Sequence, residues 1–286
     1  MPVLIDSFWR AVAYCLLPRV ILLSLLPLAL MVALTGGLAY FYWTPLVDWM
    51  RQALDAWPLL SMFWNWIERL GAGDVKSFIA PMVVIFIVTP VLVILAVLVV
   101  AVMLTPTLTN LVAGRRFPDL ERKRGGSLIG SIVRTLGATL LALLAFVVSM
   151  PLWLIPPLVL VLPPLIWGWL TYRIMSFDAL AEHASSEERE TLLRAHRWQL
   201  LGIGMLCGYL GAAPSIVWAS GVLFAAAFVV LIPLAIWIYM LVFAFSTLWF
   251  AHYCLEILSR LRAHREQEAT HAPAAATPAE RQLEAP

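Results

Sequence analysis

Catalysis and metal binding need titratable or ligating side chains held close together, and this chain offers few. Its five histidines are His183, His196, His252, His264 and His271, two of them in or beside a polar C-terminal run. His252 and Cys254 lie two apart on an expected helix, so they point about 200° apart around its axis and cannot clamp one metal. Both read as structural residues. Cys15, Cys207 and Cys254 are widely separated and form no C-x-x-C motif. The run Gly202 to Gly208 misses the G-x-G-x-x-G spacing and follows no strand; Gly204 and Gly208 instead match the small-residue face by which membrane helices approach closely. No G-x-x-x-x-G-K-[ST] motif is present, and the expectation is a protein without catalytic residues, metal or cofactor.

Residues that could handle an anion are easier to find. Pro18 stands directly before Arg19 and Val20, and proline favours the first position of a helix, where its missing N–H costs nothing. If a helix starts there, the N–H groups of Arg19, Val20 and Ile21, the positive end of the dipole and a guanidinium converge where an anion could sit. Alternatively Pro18 only kinks a continuous helix and Arg19 snorkels to headgroups. The loop around Arg115, Arg116, Arg122, Lys123 and Arg124 reads as a topology determinant beside anionic lipids or as a funnel for cytoplasmic anions. Asp178, just beyond an apolar stretch, reads as a loop carboxylate that caps a helix or pairs with a nearby arginine. The EERETLLRAHR run reads as a short solvated helix with i,i+4 pairs such as Glu190 to Arg194.

The elements that position these residues follow from composition. Of 286 residues, 62% are hydrophobic and 13% charged, and the mean hydropathy of +0.90 exceeds that of ordinary soluble domains. A net charge of +2 is too weak to suggest nucleic acid. Four stretches carry no charge: Val20 to Val47, Ser77 to Gly114, Thr135 to Tyr172 and Trp198 to Leu255. The first predicts one helix from about Arg19 to Trp43, ending in the interfacial aromatics Phe41, Tyr42 and Trp43. The second predicts a helix from about Phe78 to Leu104, bent at Pro81 and Pro90. The third is slightly short of the about 40 residues two spans need. Its five prolines between Pro151 and Pro164 forbid one continuous helix, so it predicts a pair of short helices, steep and tightly turned or re-entrant. The fourth predicts another pair, broken near Ala212, Ala213 and Pro214 and kinked at Pro233.

Of the nineteen Lys and Arg, only Arg51, Arg69 and Lys76 fall in the segment Pro45 to Ser77. Two crossings followed by two hairpins put all the others on one side, which makes both termini cytoplasmic. The Pro45 to Ser77 segment places Leu46, Met50, Leu54, Trp57, Trp64 and Ile67 near helical spacing, with Asp48, Arg51, Asp55, Asn65 and Glu68 between them, and reads as interfacial amphipathic helix. Ser7 to Leu17 is a shorter version, with Phe8, Val12 and Cys15 on one side and Ser7, Arg10 and Tyr14 on the other. A cleaved signal peptide is not expected, since Asp6 lies where a basic n-region would be. Residues 1–262 read as one polytopic membrane domain and 263–286 as a disordered cytoplasmic tail of low complexity.

The passage from Pro163 to Trp198 resembles the most characteristic region of the CysZ sulfate permeases and the wider etoposide-induced-protein family. There a Pro-hinged hydrophobic hairpin runs into an aromatic-Asp-Tyr-Pro motif, a polar stretch and an Arg-rich helix. Phe177 and Asp178 match the aromatic and the Asp, while Ala179 and Leu180 replace Tyr and Pro; Arg194 falls in the Arg-rich helix. The family's first helix begins Gly-Leu-Arg-Arg, implicated in sulfate binding, followed by Leu-Pro-Leu. This chain has Leu17, Pro18, Arg19, Val20 and then Leu26, Pro27, Leu28. Leu104 to Ala113 resembles the family's Ala-Pro-Phe-Asx segment through Pro106 and Asn110. The resemblance covers Phe8 to Pro214. It implies two long transmembrane helices, two pairs of partly penetrating helices, homo-oligomeric assembly, and passive oxyanion permeation, sulfate first, in a bacterial inner membrane. Other relatives have no established transport role, which leaves a non-transporting scaffold or lipid-interacting protein as the alternative.

Overall fold

A computed structural model describes residues 2–56, 62, 75–123, 128–212 and 221–271. The elements are α1 (Pro2–Cys15), α2 (Pro18–Ala56), α3 (Val75–Arg116), α4 (Leu128–Ser149), a 3-10 segment (Met150–Leu154), α5 (Pro156–Ala181), α6 (Ser186–Ala195), α7 (Arg197–Ala212) and α8 (Gly221–His271). No strand occurs among the described residues. Among the described residues five helical stretches are long and apolar enough to cross a membrane: Pro18–Ala56, Ser77–Arg116, Thr135–Leu154, Pro156–Ala181 and Leu231–His271. Large apolar side chains on them stay exposed, Tyr40 at 84%, Phe86 at 81% and Leu154 at 87%. Water would drive such surface into a core, whereas hydrocarbon leaves it where it is. The chain is an all-α membrane protein, as its composition predicts.

Helix ends depart most from expectation. The first long helix does not stop at Trp43 but continues through Pro45 to Ala56, and the second runs from Val75 to Arg116, past Pro106. A proline inside a helix forfeits one backbone bond. At Pro45 packing offsets that loss. Val47 and Met50 are buried with Ala80 and Val84 of α3, flanked by Leu46, Leu54, Val83 and Val88. The apolar positions expected to lie on a membrane surface therefore extend α2 and seat it on α3. Trp57, Trp64, Asn65, Ile67, Glu68 and Arg69, assigned to the same amphipathic segment, lie outside the described residues.

The proline-rich middle of the third stretch divides its prolines between two uses. Pro151 sits in the 3-10 segment, and extended Ile155 leads into Pro156 and Pro157 at the start of α5, where proline is favoured. Pro163 and Pro164 remain inside α5. Among the described residues the fourth stretch forms two helices of very unequal length. Its first helix, α7, has 16 residues, whereas α8 has 51 and carries Pro233 within it. Ala213 and Pro214, the expected break, lie outside the described residues. Helix also continues past Ala263 to His271, into the stretch read as disordered tail; residues 272–286 lie outside the described part.

The chain divides into two compact units, Met1–Leu17 with Thr105–Ile216 and Val242–Pro286, and Pro18–Leu104 with Val217–Leu241. In the second unit, besides the α2–α3 cluster, the Trp237 indole donates to the Ser24 hydroxyl at 3.0 Å. Ser24 in turn donates to the Ile21 carbonyl at 2.7 Å, so both polar groups are satisfied.

In the first unit α1 packs on α8. The Phe8 ring meets Phe245 and Trp249 edge-on at 5.6 and 5.0 Å, and Tyr14 meets His252 at 4.6 Å. Two residues expected on the polar side of α1 are thereby engaged. Ser7 is fully buried and donates to the Val3 carbonyl at 2.7 Å, while Tyr14 faces His252. Helices α5 and α7 approach through glycine. A Cβ on Gly204 would come within 2.5 Å of the Gly168 carbonyl oxygen, one on Gly168 within 2.6 Å of the Met205 Cα, and one on Gly208 within 2.7 Å of the Pro164 carbonyl oxygen. Gly204 and Gly208 thus form the close-packing face their spacing predicts.

Candidate functional site

Pro18 opens a new helix and does not kink a continuous one. Helix α1 ends at Cys15 and α2 begins at Pro18. Across the join the Leu17 N–H donates to the Tyr14 carbonyl at 3.1 Å. The first-turn N–H groups of α2 are those that a helix start leaves without partners inside the helix. Arg19 is exposed and the Val20 side chain is fully buried, so Val20 can offer an anion only its backbone N–H.

The remaining expected residues occupy other places. Pro106 and Asn110 lie within α3, where the Asn110 side-chain oxygen is buried without a hydrogen-bond partner among the described residues. The Thr109 hydroxyl donates to the Thr105 carbonyl at 2.9 Å. Asp178 is in the last turn of α5 and half-buried, so it is a helical residue and not a loop carboxylate. Arg194 pairs with Glu190 at 2.5 Å, an i,i+4 contact between exposed side chains, as the spacing predicts. Arg115 and Arg116 form the end of α3 and not a loop. Arg122 pairs with Glu182 at 3.1 Å, and Arg124 lies outside the described residues.

Arg116 and Lys123 are committed to carboxylates. Arg116 donates to Glu256 at 2.8 Å and to Asp6 at 3.1 Å, with the His252 Nδ1 at 3.5 Å. Asp6 also accepts from Arg10 at 2.8 Å, a bond that holds its carboxyl below its ordinary range despite the opposing pull of burial.

Lys123 donates to Glu188 at 3.2 Å. Glu188 is the centre of this polar region. Only 2% exposed, it accepts the Arg262 Nε on one oxygen at 3.1 Å and the Arg262 Nη2 on the other at 3.0 Å. It also closes a capping box with Ser185 at the start of α6. Burial pushes its carboxyl up, but Arg262, the Ser185 N–H and Lys123 outweigh that and hold it at about 2. Arg262 further donates to the carbonyls of Glu121 at 2.9 Å and His183 at 2.7 Å. Burial pulls the His183 imidazole below its ordinary value, and Arg122 and Arg262 add to that.

The sequence reading missed Glu188 because its partners are 65 and 74 residues away. A signal for its position was present in the Ser185-x-x-Glu188 spacing.

A second polar region lies where α5, α6 and α7 meet. A cavity of about 480 Å³ is walled by Arg173, Arg189, Arg194 and Arg197, with Glu190 the one carboxylate among the described residues of the wall. Arg189 is 9% exposed and its guanidinium lies 4.2 Å from the Phe177 ring centre, within cation–π range. Among the described residues no three His, Cys, Asp or Glu gather as a metal site would require.

A helical chain with five candidate crossings and polar ends where basic segments converge is a multi-pass membrane protein. Residues 7–220 match the family described as Sulfate transporter CysZ/Etoposide-induced protein 2.4, and the chain belongs to that family. The match agrees in extent with the Phe8 to Pro214 resemblance and carries with it a sulfate-transporter-like membrane role. Neither a curated protein nor a solved structure matches the chain.

Proposed function

We propose that the protein is a permease or channel-like path for a small oxyanion, sulfate first, in a bacterial inner membrane, with an anion site at Pro18, Arg19 and Val20. The observation that carries this reading is the helix start at Pro18, which puts first-turn N–H groups and an exposed guanidinium at the same place in a chain of the sulfate-transporter family. Both termini are cytoplasmic in this reading. Direct bonds among Asp6, Arg116, Lys123, Glu188, Glu256 and Arg262 support it, since segments so joined share one side of the membrane. Exposed Arg115 faces anionic headgroups. The spans carry no charge deep within them, so the pathway uses helix ends, hydroxyls, water and an interface between copies of the chain. Pro106, Asn110 and Asp178 position the helices that border it.

The test is labelled-sulfate uptake into proteoliposomes, comparing wild type, Arg19→Ala and empty vesicles at matched incorporation. Saturable wild-type uptake that falls roughly tenfold or more in the variant is expected, as for loss of a charge-assisted contact of about 1.5–3 kcal/mol. Wild-type uptake no faster than empty vesicles, from folded protein, overturns sulfate permeation and favours a scaffold.

A further inference from the structure

Among the described residues that wall the cavity between α5, α6 and α7, arginines outnumber carboxylates. Its walls bring four guanidinium groups and a single carboxylate together. That carboxylate, Glu190, is taken up by Arg194. Among the described residues neither Arg173 nor Arg197 has an acidic partner, and the Nε of Arg173 is buried without a hydrogen bond. A desolvated donor on a cation is costly unless something accepts from it. Guanidinium forks match the oxygens of phosphate and sulfate two at a time, and the hydroxyls of Tyr172 and Ser186 add further polar wall. Ser176 is not one of these donors, because its proton goes to the Tyr172 carbonyl.

We infer that this cavity binds a tetrahedral oxyanion group, phosphate or sulfate, at a site separate from Arg19. At about 480 Å³ it has room for a hydrated inorganic anion or for the phosphate end of a larger molecule, since one water takes up about 30 Å³. Arg173 lies over the Trp169 ring at 5.7 Å and Arg197 over Trp198 at 5.0 Å. Tryptophan collects at headgroup level, which makes an anionic lipid a second source of the same chemistry. The inference goes beyond the proposed permeation site and does not depend on it.

The experiment is calorimetric titration of inorganic phosphate and of sulfate into the full chain in lipid-free detergent, for wild type, Arg197→Gln, Arg173→Gln and Arg19→Ala. Size-exclusion profile and helix content serve as fold controls. A parallel arm uses native mass spectrometry to count lipid retained from phosphatidylcholine vesicles with and without phosphatidylglycerol. The expected result is an anion-binding step that weakens roughly tenfold or more in Arg197→Gln and persists in Arg19→Ala. Arg197 is exposed at the first residue of α7, so this variant keeps the fold even if Arg173→Gln does not. Phosphatidylglycerol retention lost in Arg197→Gln, with no inorganic anion bound, also supports the site and assigns it to lipid. Binding that disappears in Arg19→Ala but is unchanged in folded Arg197→Gln overturns it, as does the absence of both anion and lipid binding in wild type.

Discussion

Two cavities of the same compact unit are built from the same residue types and differ in their charge count. One, of about 640 Å³, lies around the Glu188 cluster. Its wall sets Arg116, Lys123, Arg262 and Arg265 against Asp119, Glu121, Glu188 and Glu266. The other, where α5, α6 and α7 meet, sets four arginines against Glu190 alone. In the first, the buried carboxylate is satisfied on both oxygens and joins α6, α8 and the segment after α3, and the described cations and carboxylates of the wall are equal in number. In the second, arginines outnumber carboxylates among the described residues of the wall. An arginine cluster is therefore informative about ligands only after its carboxylates have been counted, and net charge per cavity separates a brace from a binding site where residue type does not.

The contrast can be broken most severely at Glu188. Replacing it by Ala leaves Arg262, 13% exposed, without its counter-charge, and breaking a buried pair from one side costs about 3–5 kcal/mol. Thermal unfolding in detergent should show this loss, and a Glu188→Ala protein as stable as wild type would remove the bracing role. The same carboxylate sets a pH dependence. Its folded value of about 2 lies below the ordinary 4.5, so its contribution is present above about pH 4.5 and is lost as pH falls from there towards 2. Unfolding curves across that window should converge for wild type and Glu188→Gln at the acid end.

Next in size is Gly204→Ala, whose Cβ would meet backbone of α5 at 2.5 Å. Forcing the helices apart should cost about 1–3 kcal/mol and weaken anion binding in the arginine cavity. The smallest and sharpest change is Glu190→Gln. Its pair with Arg194 is exposed and worth only about 0.3–0.5 kcal/mol to stability, yet removing it frees a guanidinium. Phosphate or sulfate titration should then show tighter binding with almost unchanged unfolding; weaker binding would mean that the carboxylate shapes the site.

How much of this was legible in the sequence depends on whether the governing contact is local. Uncharged runs disclose the spans because hydrocarbon excludes charge residue by residue. The Glu190 to Arg194 pair and the Gly204 and Gly208 face follow from helical spacing alone. Helix ends did not follow: α2 runs past Pro45 because distant packing, Val47 and Met50 on Ala80 and Val84, outweighs the lost backbone bond, and α3 runs past Pro106. Asp178 looked like a loop residue for the same reason, as α5 runs on to Ala181. Glu188 looked like one more charge on a solvated helix, since local spacing does not disclose partners in distant parts of the chain. The arginine cavity was invisible in kind: Arg173, Arg189 and Arg197 come from three helices, and only the turns between α5, α6 and α7 bring them to one place.

The glycine contact between α5 and α7 also bears on time. Two helices whose backbones already touch cannot shift by small independent steps, so the backbone positions from which Arg173 and Arg197 extend are in fixed relation before an anion arrives. Little ordering remains to be done on binding. Such a pocket fills and empties at rates governed by diffusion and the shedding of water, which suits a site that must release what it captures.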